Sequence, residues 1–175
     1  MDSTSLRISR VGGVHLAKQK EKPMALPLGV GHRAPKIALP STEGKHISLE
    51  DYKGKKNVVL YFYPEDDTPG CTKEACAFRD SLTMYERSDT VVLGVSTDGL
   101  EKHKAFHEKY KLPFPLLSDE DTVMTRWFGV YDEDANEAKR VTFLIGKDGL
   151  IKKVWENVHV DHHAEEVLSR VKELL

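Results

Sequence analysis

A chain of 175 residues, 39% hydrophobic and 31% charged, has the length and composition of one compact domain and is too short for two ordinary ones. Its net charge of -2 gives no general attraction for nucleic acid or an acidic membrane surface, and no apolar run approaches the ~18 residues that a bilayer span requires. Partners are therefore expected to be small or locally recognised, with neither nucleic acid nor membrane among them.

Residues 1–23 carry five basic residues against Asp2 and Glu21 and show no sustained periodicity. They read as a poorly ordered extension ahead of a single domain over residues 24–175. The extension lacks the continuous apolar core of a secretory signal, so the chain is expected in the cytoplasm; its Arg and Ser content allows an organelle leader as the alternative. Next, KIALPSTEGKHISLED predicts a hairpin around Glu43-Gly44. NVVLYFYP is a nearly unbroken apolar run, the pattern of a strand buried on both faces, and Pro64 closes it. KEACAFRDSLTMYER then places Ala75, Phe78, Leu82 and Tyr85 at helical spacing, which predicts one buried face.

TVVLGVSTD reads as a second buried strand, with Asp98 as the expected cap of a helix over GLEKHKAFHEKY that Leu-Pro-Phe-Pro ends. FPLLSD supplies a short strand or extended loop and TVMTRWFG a short helix. KRVTFLIGKDGLIKKVWE reads as two strands joined at Lys147-Asp148-Gly149, and DHHAEEVLSRVKELL as a closing amphipathic helix capped by Asp161. This order suggests a central sheet covered by helices on both sides. The helix after the first buried strand then starts at a carboxyl edge of the sheet, where α/β proteins bind ligands.

Both cysteines of the chain, Cys71 and Cys76, fall at that edge in YFYPEDDTPGCTKEACAFRD. In a reducing compartment two thiols are rarely a permanent staple. If the helix begins near Gly70 to Thr72, Cys71 sits in its first turn, where free N–H groups and the dipole favour an anion. Such settings lower a thiol pKa from ~8.5 toward 6 or below. The thiolate fraction at pH 7 then rises about 30-fold, while intrinsic nucleophilicity falls about 13-fold, for a net gain of only about twofold. A fast catalyst here needs groups that stabilise charge on the reacting partner, and Thr68 and an arginine from elsewhere are candidates.

The spacing carries a second expectation. In a continuous helix residues i and i+5 have Cα atoms about 8.7 Å apart. A disulfide tolerates less than ~7 Å, so joining Cys71 to Cys76 requires the first turns to unwind. The bland alternative for Cys76, beside Ala75 and Ala77, is a small buried hydrophobe. No zinc site is expected, since two thiols at this spacing lack a matching second pair. His103 and His107, one turn apart, read as a solvated face, and His159, His162 and His163 as capping and surface residues. Trp127, Phe128 and Trp155 read as core or pocket wall.

YPEDDTPGC fits the peroxiredoxin signature PxxxTxxC at Pro64, Thr68 and Cys71, and CTKEACAFRD resembles the bacterioferritin-comigratory-protein, or PrxQ, subfamily. LGVSTDGLEKHKAFHEKYKLPFPLLSD and RVTFLIGKDGLI extend the resemblance over residues 28–174. It implies a thioredoxin-like α/β fold, with a central mixed sheet flanked by helices and an N-terminal β-hairpin. The implied activity is reduction of hydrogen peroxide and organic hydroperoxides, with Cys71 attacking the peroxide and becoming a sulfenic acid. Thr68 and Arg140 would hold the peroxide and stabilise its leaving oxygen, Pro64 would shield the pocket, and Glu74 would orient an arginine. Arg79 and Arg126 are rivals to Arg140 as the pocket cation. Cys76 would resolve the sulfenate into an intramolecular disulfide that thioredoxin or a related dithiol reduces. A monomer without cofactor or metal is implied. Two other functions fit the same residues: a general thiol–disulfide oxidoreductase, for which a Cys-x-x-Cys pair is missing, and a redox-responsive binding module.

Overall fold

A computed structural model describes residues 28–174, and the expected extension over 1–23 lies outside the described residues. The predicted hairpin forms from β1 (Ala38–Pro40) and β2 (His46–Ser48), turning at Gly44 with φ 80°. Ser48 then caps a short 3-10 turn over Leu49–Tyr52, and Asp51 returns the bond to the Ser48 amide. β3 (Asn57–Phe62) is buried along its whole length, as its apolar run requires. It leads into α1 (Pro69–Arg87), followed by β4 (Thr90–Ser96), α2 (Leu100–Lys109), β5 (Leu116–Ser118) and the short α3 (Val123–Trp127). A small hairpin, β6 (Tyr131–Asp132) and β7 (Glu137–Ala138), precedes β8 (Val141–Ile145), β9 (Ile151–Trp155) and α4 (His163–Leu174).

The main sheet has the order β5-β4-β3-β8-β9, with β3, β4 and β5 parallel, β8 antiparallel to β3, and β9 antiparallel to β8. Period-two alternation divides the core. Val58, Leu60 and Phe62 face one layer, which the β1–β2 hairpin and α3 cover, with Phe128 packed against Phe62 and Phe143. Val59 and Tyr61, with Tyr63 just beyond the strand, face the other, which α1, α4 and Phe106 of α2 cover. The expected mixed sheet with helices on both sides is present. On one face the hairpin contributes Leu39 and Ile47 beside Met124 and Phe128 of the α3 segment.

Several local expectations are corrected. Gly99, not Asp98, is the N-cap of α2; the Asp98 carboxylate instead accepts from the Asp66 amide and the Ser96 hydroxyl and pairs with Lys102. Asp161 pairs with Lys73 of α1. His163 is buried rather than superficial, with Nε2 at 2.7 Å from Thr142 Oγ1 and its ring edge-on to Phe78 and Trp155. His103 is also fully buried, because Asp66 and a backbone carbonyl satisfy both ring nitrogens. Phe128 and Trp155 are core residues, whereas Trp127 is half-buried. The β6–β7 hairpin was not foreseen in YDEDANEAK: its strands have two residues each, and Asn136 turns it at φ 57°.

Candidate active site

The turn from β3 into α1 builds the site. Thr68 is the N-cap and Pro69 the first helical residue, a place where the missing N–H costs nothing. Cys71 is thus the third residue of α1. The Thr72 amide makes the first bond, to Thr68 O, so the Gly70 and Cys71 amides have no intrahelical acceptor. Thr68 does not cap them either. Its hydroxyl donates to Glu65 O at 2.9 Å, which leaves the oxygen free to accept.

Arg140 arrives by strand pairing. β8 runs antiparallel to β3 with Val141 opposite Phe62, so the residue just before β8 lies at the carboxyl end of β3. Its guanidinium forks: Nη2–H donates to Cys71 Sγ at 3.2 Å and Nη1–H to Glu74 Oε1 at 2.6 Å. A Cβ at position 70 would stand 3.2 Å from Nη2, and glycine there leaves room for that approach. Cys71 is 1% exposed. Cys76, on the same continuous helix, is half-buried, and both thiols are free.

Burial and charge set the protonation of the surrounding groups. Burial pushes the Glu74 carboxyl up to about 7, and the facing Arg140 only partly opposes it. Burial works against the Arg140 charge, yet Glu74 and Cys71 more than offset it, so the guanidinium keeps its proton. The Tyr61 hydroxyl is held well above its ordinary range by burial, then by Glu74 and Cys71, and stays a neutral phenol. Among the described residues neither Tyr61 Oη nor Glu74 Oε2 has a hydrogen-bond partner.

A carboxyl whose folded value lies above its unfolded one, 4.5 against about 7, favours the native state most below 4.5 and loses that contribution as pH rises toward 7. The expected loss is about 3 kcal/mol across that window. Glu74→Gln should remove this component from denaturant unfolding measured at pH 4.5 to 8. Parallel pH dependences for the two proteins would contradict the assignment.

The rival cations are occupied elsewhere. Arg79 binds Asp80 and Tyr110 O; Arg126 binds Glu133 and lies over the Tyr131 ring. Pro64, half-buried, lies two residues beyond β3. Asp66, Asp98 and His103 gather close enough to suggest a cation site. Their ligand atoms, however, hold one another, Tyr63, Ser96, the Leu117 carbonyl and the Lys102 ammonium. That donor set fits protons rather than a metal.

The model of the AhpC/TSA family matches residues 30–154. A relative described as putative peroxiredoxin bcp, from Coxiella burnetii, is 47% identical over 83% of this chain and 100% of its own length. This chain belongs to the AhpC/TSA family. The peroxiredoxin from Mycobacterium tuberculosis described as peroxidoxin BcpB has a crystal structure that superposes with a TM-score of 0.80 at 32% identity, covering 85% of this chain and 99% of that one. A Xanthomonas campestris bacterioferritin comigratory protein, whose structures are described for alkyl peroxide reduction, superposes with a TM-score of 0.74 at 33% identity, covering 79% and 91%. The present peroxiredoxin accordingly has the thioredoxin-like fold and is a thiol-dependent peroxidase of the Bcp and PrxQ type, with a peroxide as substrate and a thiol as reductant. None of the described helices is long and apolar enough to cross a membrane.

Sequence reasoning did not find the tie between the loop over residues 63–68 and α2. Each of Glu65, Asp66 and Asp67 pairs with a residue of α2 or its C-cap. The signal was present as three successive acids facing a helix that carries Lys102, His103 and Lys109.

Proposed function

We propose that Cys71 is the peroxidatic nucleophile and Cys76 the resolving one. The observation that carries this reading is the Arg140 Nη2–H bond to Cys71 Sγ, in a first helical turn whose amides lack acceptors. Cys71 thiolate attacks the terminal oxygen of the hydroperoxide; the S–O bond forms, the O–O bond breaks, and the leaving oxygen takes a proton to become alcohol or water. Arg140 and the free amides stabilise the negative charge that develops on that oxygen. With its proton committed to Glu65 O, Thr68 accepts the peroxide O–H, and Pro64 closes the apolar side of the pocket.

Cys76 then attacks the Cys71 sulfenic sulfur and expels water. The intact α1 geometry holds the two Cα atoms about 8.7 Å apart, beyond disulfide range, so its first turns unwind before the bond forms. A dithiol such as thioredoxin supplies the two electrons and two protons that regenerate the pair. That requirement supports residence in a reducing compartment, which we take to be the cytoplasm, and the cycle closes within one monomer.

Cys76→Ser tests the assignment. The variant should react with one equivalent of hydrogen peroxide at the native rate, accumulate a sulfenic acid on Cys71 that dimedone traps, and fail to turn over with thioredoxin. Sustained thioredoxin-linked turnover in Cys76→Ser would refute the resolving role.

A further inference from the structure

The loop that carries Pro64 and Thr68 is held from one side. Of its three pairings to α2, two are exposed: Glu65 with Lys102, and Asp67 with Lys109 and Tyr110. Exposed pairs of this kind contribute little. The third is sealed. Asp66 and His103 side chains are both 0% exposed, with Asp66 Oδ2 at 2.6 Å from His103 Nδ1. Tyr63 Oη–H donates to the other carboxylate oxygen at 2.6 Å, and the Asp66 amide donates to Asp98. On its far side, His103 Nε2 lies 2.9 Å from the Leu117 carbonyl of β5. Both ring nitrogens are thus tied, one to the loop and one to the sheet.

This chain of bonds runs from β5 through α2 into the middle of the loop, one residue before Asp67, whose φ of 59° turns the chain toward the Thr68 cap. We propose that His103, acting through Asp66, is a positioning residue for peroxide reduction. It fixes where Thr68 and the first turn of α1 sit relative to Arg140, which approaches from the other side of the sheet order, just ahead of β8. The inference rests on Cys71 being the nucleophile. Small displacements of such a framework cost about 10- to 100-fold in rate.

The test is stopped-flow oxidation of the full, reduced chain by hydrogen peroxide, resolving the first oxidation from the later disulfide step. His103→Leu should slow the first step about 10- to 100-fold while leaving the disulfide step as fast as native or faster. A residue that merely stabilised the fold would leave the first step unchanged in the folded fraction. Asp66→Asn guards against a variant that fails to fold. Its amide can donate to His103 Nδ1 and accept from Tyr63 Oη–H, so the ties survive and the first step should stay within about threefold of native. A native rate in folded His103→Leu, or an Asp66→Asn rate as low as that expected for the leucine variant, would overturn the inference. If the native protein itself oxidised at a site other than Cys71, the proposed nucleophile and the inference would fall together. A native first step at Cys71 with an unaffected His103→Leu would remove the inference alone.

Discussion

Cys71→Ser should abolish peroxide turnover, leaving consumption at the rate of the reductant alone. The argument does not rest on an unusually reactive sulfur. A helix start and a cation raise the thiolate fraction but cost nucleophilicity, for a net gain of only about twofold by the thiol-exchange relation. What the site adds is a fixed set of donors around a sulfur that can ionise and then accept a second bond to oxygen. A serine oxygen keeps the shape and the Arg140 contact, yet it neither ionises near neutral pH nor forms a stable adduct that a thiol can reduce. The substitution is nearly isosteric at a buried position, so stability should change by only about 1 kcal/mol. A thioredoxin-coupled assay and a thermal melt on the same preparation separate the two effects. Appreciable peroxide turnover in folded Cys71→Ser would place the chemistry elsewhere.

Arg140→Ala should lower the rate constant of the first oxidation by about 10²- to 10³-fold, the usual cost of removing one preorganised donor to a developing oxyanion. The same change strands Glu74, which is 1% exposed and would lose its only hydrogen bond among the described residues. That carboxyl is already raised to about 7 by burial, so without its cation it should hold a proton across the neutral range. Arg140→Lys should rescue little, since a single ammonium cannot reproduce the fork that spans the sulfur at 3.2 Å and the carboxylate at 2.6 Å. Adding Glu74→Gln to Arg140→Ala separates lost catalysis from the burden of the unpaired carboxyl, because the two residues touch and their effects should not add. Rate constants for Arg140→Ala within threefold of native would remove the arginine from the mechanism.

Much of this was legible from residues that report on one element at a time. The unbroken run Asn57–Phe62, the Asp-Gly turn at Asp148-Gly149 and the spacing of Ala75, Phe78 and Tyr85 each carry a local physical cause, and each element formed where that cause put it. The helix start, read near Gly70 to Thr72, falls at Pro69, whose ring suits the first helical position. Contacts between distant segments were harder to read. His103 resembled a solvated histidine because nothing near it in the chain reveals that Asp66, 37 residues earlier, would meet it in the core. His163 was misjudged for the same reason, its partner Thr142 lying on β8. The two expected aspartate caps have other partners: Asp161 pairs with Lys73, and Asp98 with Lys102, Ser96 and the Asp66 amide.

The most direct measurement is hydrogen exchange by mass spectrometry, with non-reducing digestion, before and after one equivalent of hydrogen peroxide. The expected result is a peptide in which Cys71 and Cys76 are joined, accompanied by loss of amide protection over residues 69–76 while the half of α1 anchored by the Tyr85 bond to Ala164 keeps its protection. Unlinked cysteines after oxidation, or a linked pair with the first turns of α1 still protected, would contradict the account.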